Sequence, residues 1–160
     1  MSHYGGSNYK IGGKLMKYEE IKQDLFKTDK KYALGHCVAQ DGGLGAGIAV
    51  QFCKLFGNRL RGIIRDANPS IPDVVYYYSN NRKRGVYNIV TKKYSGGKPT
   101  RISFDKSIEI LRDKMIENDD KFLAIPLIGA GLDRLSWAEN RETLQRVFAD
   151  TDIEILVCKI

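Results

Sequence analysis

The chain reads as an α/β domain with three layers, a sheet packed between helices. Three observations lead there. Short apolar runs rich in β-branched and aromatic residues alternate with segments of helical periodicity through most of the length. Two glycine-rich loops, Gly42 to Gly47 and Gly129 to Gly131, each fall between a strand-like and a helix-like segment. The last stretch, Ile153 to Ile160, is nearly all apolar, as a strand covered on both faces must be. With 160 residues there is material for one core and not for two comfortable ones.

The elements follow in order. Residues 1–14 are rich in Gly, Ser, Asn and Tyr and read as a flexible lead-in, with the domain proper over 15–160. Leu15 to Phe26 reads as a strand ending in a turn. Tyr32 to Val38 reads as a buried strand, flanked by charges before it and glycines after it. Gly47 to Phe56 places Ile48, Phe52 and Leu55 at helical spacing, with Gly57 as the stop signal. Arg59 to Ala67 continues as a second helix until Pro69 and Pro72. Val74 to Tyr78 and Val86 to Thr91 flank a long polar loop, the pattern of a β-hairpin. Ser103 to Glu117 carries Phe104, Ile108, Leu111 and Met115 on one face. Phe122 to Ile125 is a short strand stopped by Pro126. Ser136 and Glu139 have the spacing of a capping box opening a helix that bears Leu144, Val147 and Phe148.

Composition narrows the function classes. No apolar run approaches the ~18 residues of a membrane span, and the N-terminus lacks the apolar core of a secretory signal. The three cysteines, Cys37, Cys53 and Cys158, have no metal-ligand spacing and read as reduced core thiols of an intracellular protein. A monomer with neither metal nor cofactor is expected. His36 reads as a hydrogen-bonded core histidine, and Tyr76, Tyr77 and Tyr78 as alternating between the two faces of a strand. The net charge of +7 is unevenly placed. From Val74 to Phe104 there is no carboxylate, while Arg82, Lys83, Arg84, Lys92, Lys93, Lys98 and Arg101 all fall there. Such a stretch attracts polyanions, including nucleic acid over 82–101 or a phosphate-bearing ligand. Arg82 to Arg84, in the hairpin loop, read as a solvated basic face.

Each glycine-rich loop is an anion site in principle. Glycine lets the backbone approach a ligand without a Cβ in the way, and the helix behind the loop aims its unpaired N–H groups at the same place. Neither loop is a dinucleotide fingerprint or a Walker A loop. Ligands of open α/β sheets lie outside the carboxyl ends of the strands. Two such loops after two strands therefore meet over one cleft, and a nucleotide is the expected occupant.

The residues also carry a family resemblance. Gly35-His36-Cys37-Val38-Ala39-Gln40-Asp41-Gly42-Gly43-Leu44-Gly45-Ala46-Gly47-Ile48-Ala49 resembles the first ligand loop of macrodomains, and Pro126-Leu127-Ile128-Gly129-Ala130-Gly131-Leu132-Asp133-Arg134-Leu135 resembles their second. Val90-Thr91-Lys92-Lys93, followed by Lys98-Pro99-Thr100, resembles the branch typified by the terminal ADP-ribose protein glycohydrolase. The likeness runs from about Tyr18 to Ile160, with the three motifs in order. It implies a mixed sheet of about six strands between helices and ADP-ribose as ligand. Asp24 would accept a hydrogen bond from the adenine amino group. Gly45, Ala46, Gly47 and Ile48 would offer N–H groups to one phosphate and the distal ribose. Gly129, Ala130, Gly131 and Leu132 would wrap the other phosphate. Leu25, Ala39, Leu44, Thr91, Ile128 and Ile160 complete the implied contacts. The branch's catalytic lysine and aspartate match Lys92 and Asp133.

That pair makes chemical sense. A deprotonated lysine amine can attack the anomeric carbon of the distal ribose as its ester to a carboxylate leaves, and an aspartate beside it can act as general acid/base. The resemblance thus implies an ADP-ribosyl hydrolase acting on mono-ADP-ribosylated Glu or Asp of a protein, with O-acetyl-ADP-ribose or ADP-ribosylated DNA as further substrates. The alternatives are a reader that binds ADP-ribose without turnover and an ADP-ribose 1″-phosphate phosphatase. Ala39, Ala130, Leu127 and Gln23 stand where relatives often carry Ser, Cys, Arg and Gly. A hydroxyl lost at Ala39 is worth roughly 1 kcal/mol of ligand hydrogen bonding.

Overall fold

The computed structural model describes residues 4–11, 14–44 and 47–160. Among them, seven strands form one sheet: β1 (Tyr4–Ile11), β2 (Lys14–Lys22), β3 (Ala33–Ala39), β4 (Asp73–Ser79), β5 (Arg84–Lys92), β6 (Phe122–Ile125) and β7 (Glu154–Lys159). They are ordered β1-β2-β7-β6-β3-β5-β4. The edge pairs β1–β2 and β4–β5 are antiparallel. The run from β2 through β7, β6 and β3 to β5 is parallel throughout. The mixed sheet expected from sequence is present. Its seventh strand comes from residues 4–11, read from sequence as part of the lead-in, which pair antiparallel with β2.

Among the described residues, four α-helices cover the two faces: α1 (Ile48–Phe56), α2 (Arg59–Asp66), α3 (Arg101–Glu117) and α4 (Trp137–Phe148). β5 sends alternate residues to opposite faces, and the core is double. Val86 and Val90 of β5 pack with Phe52, Leu60 and Ile64 of α1 and α2. Tyr87 and Ile89 pack with Phe104, Ile108 and Leu144 of α3 and α4. Burying side chains of this size stabilises by roughly 1.5–3 kcal/mol each. α1 stops where Gly57 takes φ +91° and returns its N–H to Cys53. α3 opens on a reciprocal cap between Thr100 and Ser103. At α4 only half of the expected box forms. Ser136 accepts from the Glu139 amide, and the Glu139 side chain pairs with Arg101 at 3.1 Å instead.

Among the described residues, two charged side chains, Arg84 and Glu20, are deeply buried. Arg84 is not solvated as the sequence suggested. It is 7 % exposed and donates to Thr28 Oγ1, Thr28 O and Tyr32 O at 2.9–3.1 Å. Glu20 of β2 is fully buried and accepts from both Nε and Nη2 of Arg141, from Tyr18 and from Trp137. Burial opposes its charge, but the Arg141, Tyr18 and Trp137 hydrogen bonds outweigh it and hold its carboxyl below the ordinary carboxylate range. The network fastens α4 to β2 and, through Lys159 at 3.6 Å, to the end of β7.

Candidate active site

Because β2, β7, β6, β3 and β5 are parallel, their carboxyl ends share one edge of the sheet. Every segment of interest departs from that edge. Asp24 follows β2, the first glycine-rich loop follows β3, Lys92 ends β5, the second loop follows β6 and Ile160 follows β7. This is where an open α/β sheet takes its ligand.

A cleft of about 320 Å³ opens there. Asp24, Leu25, Ile48 and Ile160 line it, so four of the residues expected at the ligand meet in one space. Asp24 caps the short 3-10 turn Leu25–Lys27, accepting from the Phe26 amide at 3.0 Å. Sequence reasoning missed Phe26, Gln51, Pro126 and Cys158, which also line the cleft. Adjacency was the available signal for Phe26 and Pro126, which neighbour Leu25 and the second loop.

The two loops approach each other. A Cβ built on Gly47, whose φ is +60°, would lie 3.3 Å from Leu132 Cδ1. Gly45 and Ala46 lie outside the described residues. Leu44 is buried in the core beneath the first loop, and Arg61 donates to its carbonyl at 3.2 Å. The second loop is wound on itself: Ala130 N–H meets Leu127 O, Arg134 N–H meets Gly131 O, and Leu135 N–H meets Gly129 O. Among the described residues, that pattern leaves the amides of Gly131, Leu132 and Asp133 without a backbone acceptor. Gly129 has to be glycine. Its φ is +72°, and a Cβ would stand 2.8 Å from Phe104 and 2.9 Å from Asn140 Nδ2. Asn140, fully buried, donates to Ile128 O and fixes the loop's start.

Lys92 and Asp133 are in contact. Nζ lies 2.6 Å from Asp133 Oδ1, with side-chain exposures of 10 % and 12 %. Nζ also donates to Gly97 O at 2.9 Å. Lys92 sits opposite Ala39 at the end of the β3–β5 ladder, and its carbonyl receives the Gln40 amide. Thr91, one residue earlier, is buried, with Ser103 Oγ donating to its carbonyl. Cys37 lies close to the pair. Burial, then the negative charge of Asp133, pushes its thiol well above the usual range, which keeps it protonated and un-nucleophilic at neutral pH. His36 is fully buried, bonded through Nε2 to Asn88 and stacked on Phe52 with ring centres 3.7 Å apart. Burial pushes its pKa down to about 4. Among the described residues no cluster of His, Cys, Asp and Glu could hold a metal ion, and no helix is long and apolar enough to cross a membrane.

No family model matches the chain. Curated relatives do. ADP-ribose glycohydrolase OARD1 of Homo sapiens, a macrodomain protein, is 36 % identical over 137 residues, which are 86 % of this chain and 88 % of that one. The Bos taurus protein of the same name is 35 % identical over 153 residues, covering 96 % and 97 %. The chain belongs to the macrodomain family. The fold agrees with that of solved macrodomains. The macrodomain of Thermus aquaticus DarG superposes with a TM-score of 0.79 at 22 % identity, covering 89 % of this chain and 98 % of that one. Thermosipho africanus DarTG in complex with ADP-ribose gives 0.78 at 16 % identity, covering 96 % of this macrodomain and 43 % of that chain.

Proposed function

We propose that this macrodomain binds ADP-ribose and hydrolyses the bond between its distal ribose and a Glu or Asp side chain of a modified protein. The observation that carries the reading is the Lys92 Nζ–Asp133 Oδ1 contact of 2.6 Å at the strand ends, flanked by both glycine-rich loops. The names of the human and bovine relatives, ADP-ribose glycohydrolase, support the hydrolase class. In this reading adenine occupies the cleft beside Asp24, with Leu25 and Ile160 on its walls. The pyrophosphate lies between Gly47–Ile48 and Gly129–Leu132, and C1″ of the distal ribose meets Lys92.

The chemistry then runs through this chain's own groups. Lys92 Nζ gives a proton to Asp133 and attacks C1″. The C1″–O bond breaks, and its electron pair leaves with the target's carboxylate. Water hydrolyses the C1″–N linkage, the amine is regenerated, and ADP-ribose departs. A pure reader needs no lysine–carboxylate contact at that point. The phosphatase alternative loses its histidine, since His36 is sealed in the core on Asn88 and Phe52.

The test is release of ADP-ribose from a Glu-linked mono-ADP-ribosylated protein by wild type, Lys92→Ala and Asp133→Ala, with O-acetyl-ADP-ribose and ADP-ribosylated DNA as parallel substrates. Wild type is expected to release ADP-ribose and both variants to lose turnover while still binding it. Binding by wild type without release from any substrate would refute the enzyme and leave a reader.

A further inference from the structure

The segment after Lys92 folds back over it, and one cluster of polar groups holds it there. Lys92 Nζ donates to Gly97 O at 2.9 Å, and Gly97 N–H closes a turn on Tyr94 O. Between them, Ser95 is tied to the first glycine-rich loop. Its hydroxyl lies 3.0 Å from Asp41 Oδ1 and 2.8 Å from Gly43 O, and its amide lies 3.3 Å from Asp41 Oδ2. The one hydroxyl proton serves both acceptors. Asp41 in turn receives the Gly43 amide at 2.9 Å. Burial opposes its charge, but the Gly43 amide and then the Ser95 hydroxyl and amide outweigh it, holding its carboxyl below the usual range. The fit is close: a Cβ on Gly43 would overlap Ser95 Oγ.

We infer that Ser95, bound to Asp41 and Gly43, is a positioning residue that sets the reach of the Lys92 amine by fixing the carbonyl of Gly97. The inference rests on the proposed role of Lys92 and adds a link: the first loop holds the lysine's turn in place. Lys92 leaves a rigid strand, but its side chain is long, and among the described residues Asp133 and Gly97 orient its tip. A loosened 93–97 turn leaves Asp133 in place and removes the second restraint. Misplacing a reacting atom by about 1 Å can cost up to about a hundredfold in rate. The bonds of Ser95 are solvent-exposed, so the effect falls on position more than on stability.

The experiment is a double-mutant cycle on the full chain with Ser95→Ala, Gly43→Ala and the pair, and Lys92→Ala as control. Measured are kcat and KM for ADP-ribose release, affinity for free ADP-ribose, melting temperature, and the ¹⁵Nζ signal of the Lys92 side chain. Ser95→Ala is expected to lower kcat roughly tenfold, with KM and affinity within about twofold and Ser95→Thr restoring most of the rate. Gly43→Ala is expected to act like Ser95→Ala by pushing the hydroxyl out, and to add little to it, since the clash is with Oγ. The Lys92 signal is expected to broaden or shift in both. An unchanged kcat and unchanged Lys92 signal in Ser95→Ala, with Lys92→Ala inactive, overturns the positioning role and leaves the hydrolase reading intact. Additive rate losses for Ser95→Ala and Gly43→Ala also overturn it. Full activity in Lys92→Ala removes the lysine mechanism, and this inference with it.

Discussion

Asp133→Asn separates holding the lysine from activating it. Asparagine keeps an oxygen where Oδ1 stands 2.6 Å from Lys92 Nζ, so the amine stays in place. It cannot take a proton. At 2.6 Å and an effective dielectric of about 20, the two charges attract by about 6 kcal/mol before solvation is counted. Both side chains are nearly buried, so desolvation offsets much of that, and losing one charge is expected to cost about 1–3 kcal/mol of stability. For a chain of 160 residues that is a fall in Tm of roughly 3–10 °C, small enough to assay the folded variant at 25 °C. The rate is where the change shows. Removing a positioned general base costs about 10²–10⁴ in kcat, or about 3–5 kcal/mol of barrier. Affinity for free ADP-ribose, which the proposed reading assigns to the cleft and the loops, is expected to change by less than about threefold. The assay is initial-rate release of ADP-ribose at pH 7, alongside calorimetric binding. If the Asp133→Asn variant stays within about fivefold of wild-type kcat at pH 7, with binding intact, the proton-acceptor role of Asp133 is wrong.

Three further changes test the surrounding structure. Gly129→Ala forces a side chain into φ +72° and against Phe104 and Asn140, and is expected to cost about 2–5 kcal/mol in urea unfolding, whereas Gly131→Ala, with no atom near its Cβ, is expected to stay within about 0.5 kcal/mol; equal costs at the two sites refute the geometry. Arg141→Met strips the buried Glu20 of its strongest partner and is expected to destabilise by about 3–5 kcal/mol. Because the Glu20 carboxyl is held below its ordinary range, its contribution is present above the ordinary carboxylate pKa and fades as pH falls through the folded value, so the variant's deficit is expected to shrink in acid. His36, pushed down to about 4 by burial, is expected to keep neutral-form ring resonances at pH 5 in NMR spectra, and a midpoint near 6.5 contradicts its burial; as a group protonated more readily when unfolded, it withdraws stability as pH falls from about 6.5 towards 4.

The parallel core of the sheet was legible because buried strands and amphipathic helices leave different periods in the sequence. Tyr4–Ile11 was not, since two glycines, a serine and an asparagine erase the alternation that marks a strand, and its pairing with β2 is a tertiary fact. Arg84 looked like one of a run of loop cations; nothing local says that Thr28 and Tyr32, more than fifty residues earlier, offer it three oxygens. Glu20 reads as the polar half of a strand, because its partners Trp137 and Arg141 lie on a helix at the other end of the chain. At the site, the two glycine-rich loops were legible from local sequence alone, as was the chemistry by which such loops can hold an anion. Lys92 and Asp133 are 41 residues apart, and only the family resemblance joined them; the topology brings them together because β5 and β6 end at the same edge. Asp41 and Ser95, 54 residues apart, left no signal of their contact.

The charge of the 82–101 stretch is resolved by the same topology. Four of its cations have internal partners: Arg82 on Leu55 O, Arg84 on backbone and hydroxyl oxygens, Lys92 on Asp133, and Arg101 on Asp105 and Glu139. Arg82, Lys83, Lys93 and Lys98 are exposed. The first two stand before β5 and the last two after it, and a strand from Arg84 to Lys92 separates its ends by about 26 Å. They form two small groups, one before and one after the strand. Lys93 and Lys98 stand on the edge that carries the two loops. In the proposed reading, that edge is the one that meets the two phosphates of ADP-ribose.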